Sequence, residues 1–250
     1  MQRYFLNENA ELHQRFFITN KDDIHHMLKV MRYVVGDHII INFNDMQTFK
    51  AEIMNADQKA VEVETVEKLD IQTELPVAVT VASGLIKADK YEWMLQKATE
   101  LGAHDFIAVQ MGRSVVKLND QKAPKKLERW EKIIKEAAEQ SYRQQIPNIK
   151  YYSNLKYVYD MIDKYDYILM AYEEQAKEGE TSKFKEMLSQ LQPNNKVLLL
   201  VGPEGGFSEE EVALFETHAS IVGLGQRILR AETAPLYALS AISYEIELMR

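Results

Sequence analysis

The stretch Val197-Leu198-Leu199-Leu200-Val201 runs straight into Gly202-Pro203-Glu204-Gly205-Gly206-Phe207-Ser208, and acidic residues follow at once. Five apolar residues, a glycine-bearing turn and an N-terminal acidic cluster read as strand, loop and helix start. A second unit of the same kind follows. A short apolar run from Ile221 leads into Leu224-Gly225-Gln226-Arg227-Ile228-Leu229-Arg230-Ala231-Glu232-Thr233-Ala234, which opens a terminal helix. In an open parallel sheet the carboxyl ends of strands are where ligands bind, because backbone groups there are left unpaired. Glycines at 202, 205 and 206 are expected to allow left-handed angles or close approach to a ligand, and Pro203 stiffens the turn. Such a turn taken alone is more often only a strand-to-helix connection.

The second loop adds chemistry. Ile228 and Leu229 stand between Arg227 and Arg230. They either wall a flat apolar slot, of the kind that accepts an aromatic heterocycle such as adenine, or plug the core beneath the last helix.

Upstream of these loops, from Pro76 onward, strands alternate with helices, which is the pattern of an α/β layer on a parallel sheet. The expected elements are strand Val77 to Ser83, helix Asp89 to Leu101 closed by Gly102, strand Phe106 to Gln110 delivering Arg113 and Ser114, and a long helix from Pro124. After them come a helix from Asn154 to Ile162, strand Tyr167 to Ala171 and a helix from Ser182 to Leu191. Glu173 to Glu180 is polar and reads as a loop. Residues 1 to about 72 differ: His38 to Phe43, Phe49 to Met54 and Ala60 to Val66 are β-branched or aromatic runs between turn signals, with one helix from Asp22 to Met31. The expected division is a β-rich domain over 1–72 and an α/β domain over 73–250.

Composition bounds the function. The chain of 250 residues is 46% hydrophobic and 27% charged, enough to bury a core. It has no cysteine, which excludes disulfides and thiolate metal sites and suits a cytoplasmic protein. No apolar run approaches a membrane span. A net charge of -8 argues against a surface that wraps nucleic acid everywhere. Between Arg113 and Lys135, however, basic residues (Arg113, Lys117, Lys122, Lys125, Lys126, Arg129, Lys132, Lys135) outnumber acidic ones (Asp120, Glu128, Glu131). That run is either a local RNA-facing patch or a solvated helix face.

GPEGGFS followed by LGQRILRAETA resembles the SPOUT-class RNA methyltransferases, and among them the bacterial 16S rRNA (uracil-N3)-methyltransferase family. KATELGA at Lys97 to Ala103, Arg113-Ser114, and ERWEKIIKEAAEQSYRQQIP from Glu128 to Pro147 extend the resemblance over nearly the whole chain. Gln226 departs from it, since the family usually has proline there. The resemblance implies an α/β SPOUT-type parallel sheet ending in a trefoil knot, preceded by a small β-rich PUA-like barrel that binds RNA through Arg3, Lys29 and Arg32. It further implies S-adenosyl-L-methionine as methyl donor, a homodimer, and a uridine of 16S rRNA near the decoding region of the 30S subunit as target, with no metal and no membrane. Donor-binding residues are then expected at Val201, Gly202, Glu204 and Gly205 in the first loop and at Leu224, Gly225, Ile228, Leu229, Thr233 and Ala234 in the second.

For the reaction itself, uracil N3 becomes a nucleophile only as its proton leaves, and charge then develops on O2 and O4. Arginine suits that charge. Arg113, Arg143 and Arg230 are the candidates, while Glu204 or Glu232 accepts the N3 proton or orients an arginine. Two other readings fit the residues less well: an RNA-binding protein without activity, and a phosphate-binding α/β enzyme, for which neither GxxxxGK[ST] nor GxGxxG is present.

Overall fold

The computed structural model describes residues 1–119, 121–174 and 182–249. Asp120 of the basic run, and residues 175–180 of the expected Glu173 to Glu180 loop, lie outside them. The chain divides into two units, Met1–Glu74 with Ala138–Ile146, and Leu75–Ala137 with Pro147–Arg250.

The first unit is built on β1 (Arg3–Leu6), β2 (Arg15–Ile18), α1 (Lys21–His25), β3 (His38–Phe43), β4 (Thr48–Ala56) and β5 (Val61–Leu69). The strands form one sheet in the order β1-β3-β4-β5-β2, parallel at β1/β3 and antiparallel elsewhere. Alternation places Val61, Val63 and Thr65 inside while Glu62 and Glu64 stay on the wetter face. Asn20 caps α1 by accepting from the backbone N–H groups of Asp22 and Asp23. The helix continues as a π turn over His26–Val30.

Ala138–Ile146 joins this unit for a reason no local pattern carries. Arg143, 2% exposed, donates from Nε and Nη2 to the Glu74 carboxylate. The carbonyl of Arg143 accepts from Asn42 Nδ2 at 2.8 Å, and Gln144 Nε2 donates to the Met46 carbonyl at 3.0 Å.

The second unit is a six-stranded, wholly parallel sheet made of β6 (Ala78–Gly84), β7 (Asp105–Val109), β8 (Asn148–Tyr152), β9 (Tyr167–Ala171), β10 (Lys196–Val201) and β11 (Ser220–Val222). Its order is β11-β9-β10-β6-β7-β8. The chain therefore leaves β6 toward β7 and β8 on one side and later fills the other side, so the direction switches between β6 and β10. Central strands buried on both faces carry runs of apolar residues, as at Leu198, Leu199 and Leu200. The helices are α2 (Ala88–Glu100), α3 (Ala123–Gln140), α4 (Lys156–Tyr159), α5 (Ser182–Gln190), α6 (Glu209–Phe215) and α7 (Ala234–Ser243). In α2, Tyr91, Met94, Leu95 and Ala98 are buried on one face, and Gly102 at φ +89° closes the end.

Several expectations need correction. Strands β1 and β2 were not among the strands expected in the first unit, and β8 was not expected because Asn148 and Lys150 break its apolar run; only its alternation, with Ile149 inward, betrays an edge strand. The helix expected from Asn154 to Ile162 is instead the single turn α4 and a 3-10 turn at Ile162–Lys164.

Candidate functional site

Strands β9, β10 and β11 release their chains at the same edge of the sheet. The loops that follow, Ala171 to Glu173, Val201 to Phe207 and Ile228 to Ala234, line one cleft of about 220 Å³. A side recess of about 60 Å³ adds Leu224 and Arg227. The cleft sits beside the direction switch of the sheet, the place where open α/β sheets bind ligands.

The glycines of the first loop serve two needs. Gly206 adopts φ +69°, and its N–H donates to the Pro203 carbonyl at 2.9 Å. Gly202 and Gly205 have no such angle; they are small because neighbours are close. A Cβ on Gly205 would lie 2.9 Å from Arg113 Cβ and 3.0 Å from the Arg113 carbonyl oxygen, and one on Gly202 would lie 3.1 Å from the Gly206 backbone. The left-handed expectation thus fits Gly206 alone of the three. Gly84, at the end of β6, is equally constrained: a Cβ there would meet Pro203 Cδ and N at 2.6 Å.

Helix α6 then fixes the loop from behind. Ser208 and Glu211 form a capping box, and Glu211 Oε1 also accepts from the Gly112 N–H at 2.8 Å. The loop that carries Arg113 is thereby tied to the first glycine loop.

In the second loop the Arg230 carbonyl accepts from the N–H groups of Thr233 and Ala234, at 2.8 and 3.0 Å, and turns the chain into α7. Gly225 takes φ +100°. Ile228 is 57% exposed, so it walls the cleft and does not plug the core.

The charges of the cleft are one-sided. Glu173, Glu204 and Glu232 line it against Arg230. Glu204 Oε1 accepts from the Lys87 N–H at 3.3 Å. Glu232 Oε1 pairs with Lys90 Nζ at 2.9 Å. Burial pushes the Glu232 carboxyl upward, but the Lys90 hydrogen bond and charge, its own backbone N–H and nearby Arg230 outweigh that and hold it below the usual carboxylate range. Such a cleft, acidic at Glu173, Glu204 and Glu232 and aliphatic at Ile228 and Leu229, suits a ligand with a flat apolar part and net positive charge.

The candidate residues fall into distinct places. Arg230, Glu232, Val201, Gly202, Glu204, Ile228, Leu229 and Ala234 line the cleft, and Leu224 lines its recess. Gly205, Gly225 and Thr233 lie in the same two loops without lining it. Arg113 is exposed behind the first loop, its Nη1 3.4 Å from the Gly205 carbonyl. Arg143 belongs to the first unit, where it is buried against Glu74, and is not among the residues lining the cleft. Arg3 is not phosphate-facing either: it is 6% exposed, donates from Nη1 to the Tyr142 carbonyl at 3.0 Å, and stacks on the Tyr142 ring at 4.8 Å. Burial lowers its pKa. Lys29 and Arg32 are exposed. Sequence reasoning missed Glu173, Lys90 and Gly84; of these only Gly84, a glycine ending a strand, carried a local signal. Among the described residues no group of three or more His, Cys, Asp or Glu side chains is arranged to hold a metal.

An RNA methyltransferase domain family matches residues 73–243, and an RNA methyltransferase PUA domain family matches residues 18–66. Ribosomal RNA small subunit methyltransferase E of Bacillus subtilis (strain 168) is 47% identical over 254 residues, covering 100% of this chain and 99% of the relative. A second relative, ribosomal RNA small subunit methyltransferase E 2 of Borreliella burgdorferi, is 27% identical, with 96% of each chain covered. The crystal structure of ribosomal RNA small subunit methyltransferase E from Neisseria gonorrhoeae bound to S-adenosyl methionine superposes with a TM-score of 0.81 at 28% identity over 97% of both chains.

Proposed function

This chain belongs to the ribosomal RNA small subunit methyltransferase E family, and on that footing we propose that it uses S-adenosylmethionine to methylate N3 of one uridine in 16S rRNA. The proposed target lies near the decoding region of the assembled 30S subunit, in the cytoplasm. The observation that carries the reading is the convergence of both glycine loops on one acidic cleft with aliphatic walls.

In this reading Val201, Gly202, Ile228, Leu229 and Ala234 hold the donor, with Leu224 at the recess and Gly205, Gly225 and Thr233 shaping the loops around it. S-adenosylmethionine supplies a sulfonium methyl, which needs no metal to react. The carboxylates of Glu173 and Glu204 complement its positive charge. Arg230 stabilises the charge that develops on the uracil oxygens, and Glu232 accepts the N3–H hydrogen bond and takes up that proton as the methyl leaves the donor for N3. Because Glu232 is held below the ordinary carboxylate range, it stays ionised at neutral pH and is suited to accept that bond. N3 is on the Watson–Crick edge, so the base must be unpaired to react. Arg113 acts beside the first loop, while Lys29 and Arg32 lie on the RNA-binding first unit, proposed to be a PUA-like barrel. A trefoil knot in the second unit and a homodimer complete the proposal.

Calorimetric titration with S-adenosylmethionine tests the cleft. Wild-type protein should bind one donor per chain, and Gly205→Val, whose side chain would collide with Arg113, should bind none while its circular dichroism is retained. Equal binding by both proteins would refute the assignment. In thermal shift, S-adenosylhomocysteine should stabilise the protein and ATP and NAD should not, since three carboxylates repel phosphate.

A further inference from the structure

Lys90 sits in the first turn of α2, outside both glycine loops, yet its Nζ reaches Glu232 Oε1 at 2.9 Å. Glu232 is 9% exposed, and its other oxygen, Oε2, is cut off from water and has no hydrogen-bond partner. A buried carboxylate oxygen without a donor is costly, so its persistence in a ligand cleft marks a place where a ligand completes the site. The charged groups around Glu232 are Lys90 from α2, Arg230 from its own loop, Glu204 from the first loop and Glu173 after β9. Burial favours a proton on Glu232. Lys90 is the group in direct contact that opposes it.

We infer that Lys90 is a positioning residue: it grips Glu232 by one oxygen and keeps it ionised, which leaves the second oxygen for an N–H donor of the ligand bound in the cleft. The identity of that donor rests on the function proposed above, in which it is N3–H of the target uracil. A protonated Glu232 would set an O–H against that N–H, donor facing donor. The depressed pKa of Glu232 agrees with the geometry, with burial the opposing influence and the Lys90 hydrogen bond the leading one in favour.

The test uses full-length protein labelled with 13C at glutamate Cδ and titrated by NMR without ligand, the Glu232 signal being identified by its loss in Glu232→Gln. Wild-type Glu232 should titrate below the ordinary glutamate range. In Lys90→Met the midpoint should rise by about one unit or more, and Lys90→Arg should bring it back down. Lys90→Gln serves as a second neutral variant should Lys90→Met melt early. Methyl transfer to small subunits, followed against pH, should show the acidic limb moving up in step in the neutral variants, with kcat falling more than the KM for S-adenosylmethionine rises. An unmoved Glu232 midpoint, or a uniform loss of activity with the limb in place, would overturn the inference. Absence of methyl transfer by the wild type would instead count against the proposed reaction, leaving the NMR titration to decide the role of Lys90.

Discussion

Arg230 presents its carbonyl to two N–H groups and its side chain to the cleft, so the residue is held by its backbone and free to act through its guanidinium. Arg230→Ala should therefore lower single-turnover methyl transfer by about 10²–10³-fold, the usual loss on removing one oxyanion donor, with donor affinity in calorimetry changed little. Unchanged turnover would remove Arg230 from the reaction. Gly84→Ala should lower both melting temperature and donor affinity, because the added methyl meets the Pro203 backbone nitrogen at 2.6 Å and backbone must move; a variant as stable as wild type would contradict that. At this scale the sequence was legible where residue type and local spacing sufficed, as in the paired loops and the apolar Ile228-Leu229. It was silent where a residue is defined by a distant partner. Residue type alone puts Arg143 among the candidates for the reaction, and only the fold reveals Glu74 beneath it.

Among the elements, α6 shows how a cap positions a site. Ser208 closes the helix N-terminus while Glu211 reaches both back to Ser208 and across to Gly112. Ser208→Ala should cost about 0.5–2 kcal/mol in urea unfolding, and Glu211→Ala should in addition weaken donor binding by loosening the Arg113 loop; donor affinity untouched by Glu211→Ala would sever that link. The turn after α3 carries a larger load. Replacing the buried Arg143 by Met leaves the partly buried Glu74 carboxylate without its cation, with only the Gln144 N–H and Gln145 Nε2 as donors among the described residues, a loss of up to about 3–5 kcal/mol where buried ion pairs are broken on one side. Urea unfolding should show that loss, and a change below about 1 kcal/mol would contradict it. Periodicity puts Trp130, Ile133, Ile134 and Ala137 on one stripe of α3, of which Trp130, Ile134 and Ala137 are buried. Nothing in the same periodicity assigns its last turn to the first unit, since that assignment is made by Asn42, Met46 and Glu74.

For the whole molecule, the alternation of apolar strands and amphipathic helices after Pro76 was sufficient to foresee a parallel sheet, but not the order β11-β9-β10-β6-β7-β8. Strand order is fixed by which apolar faces meet across the sheet, information spread over the full chain. That order is what brings residues near 172, 204 and 230 together. Among the described residues no helix is long and apolar enough to cross a membrane. If the proposed homodimer forms, sedimentation equilibrium will return twice the chain mass of 29.0 kDa, and a single-chain mass would contradict it. The most direct measurement is mass-spectrometric mapping of nucleosides in 16S rRNA from cells with the gene, without it, and complemented with wild-type or Gly205→Val protein. The account predicts one 3-methyluridine that disappears without the gene and returns with the wild type but not with Gly205→Val. An unchanged modification pattern, or a lost methyl group on any other atom, would contradict it.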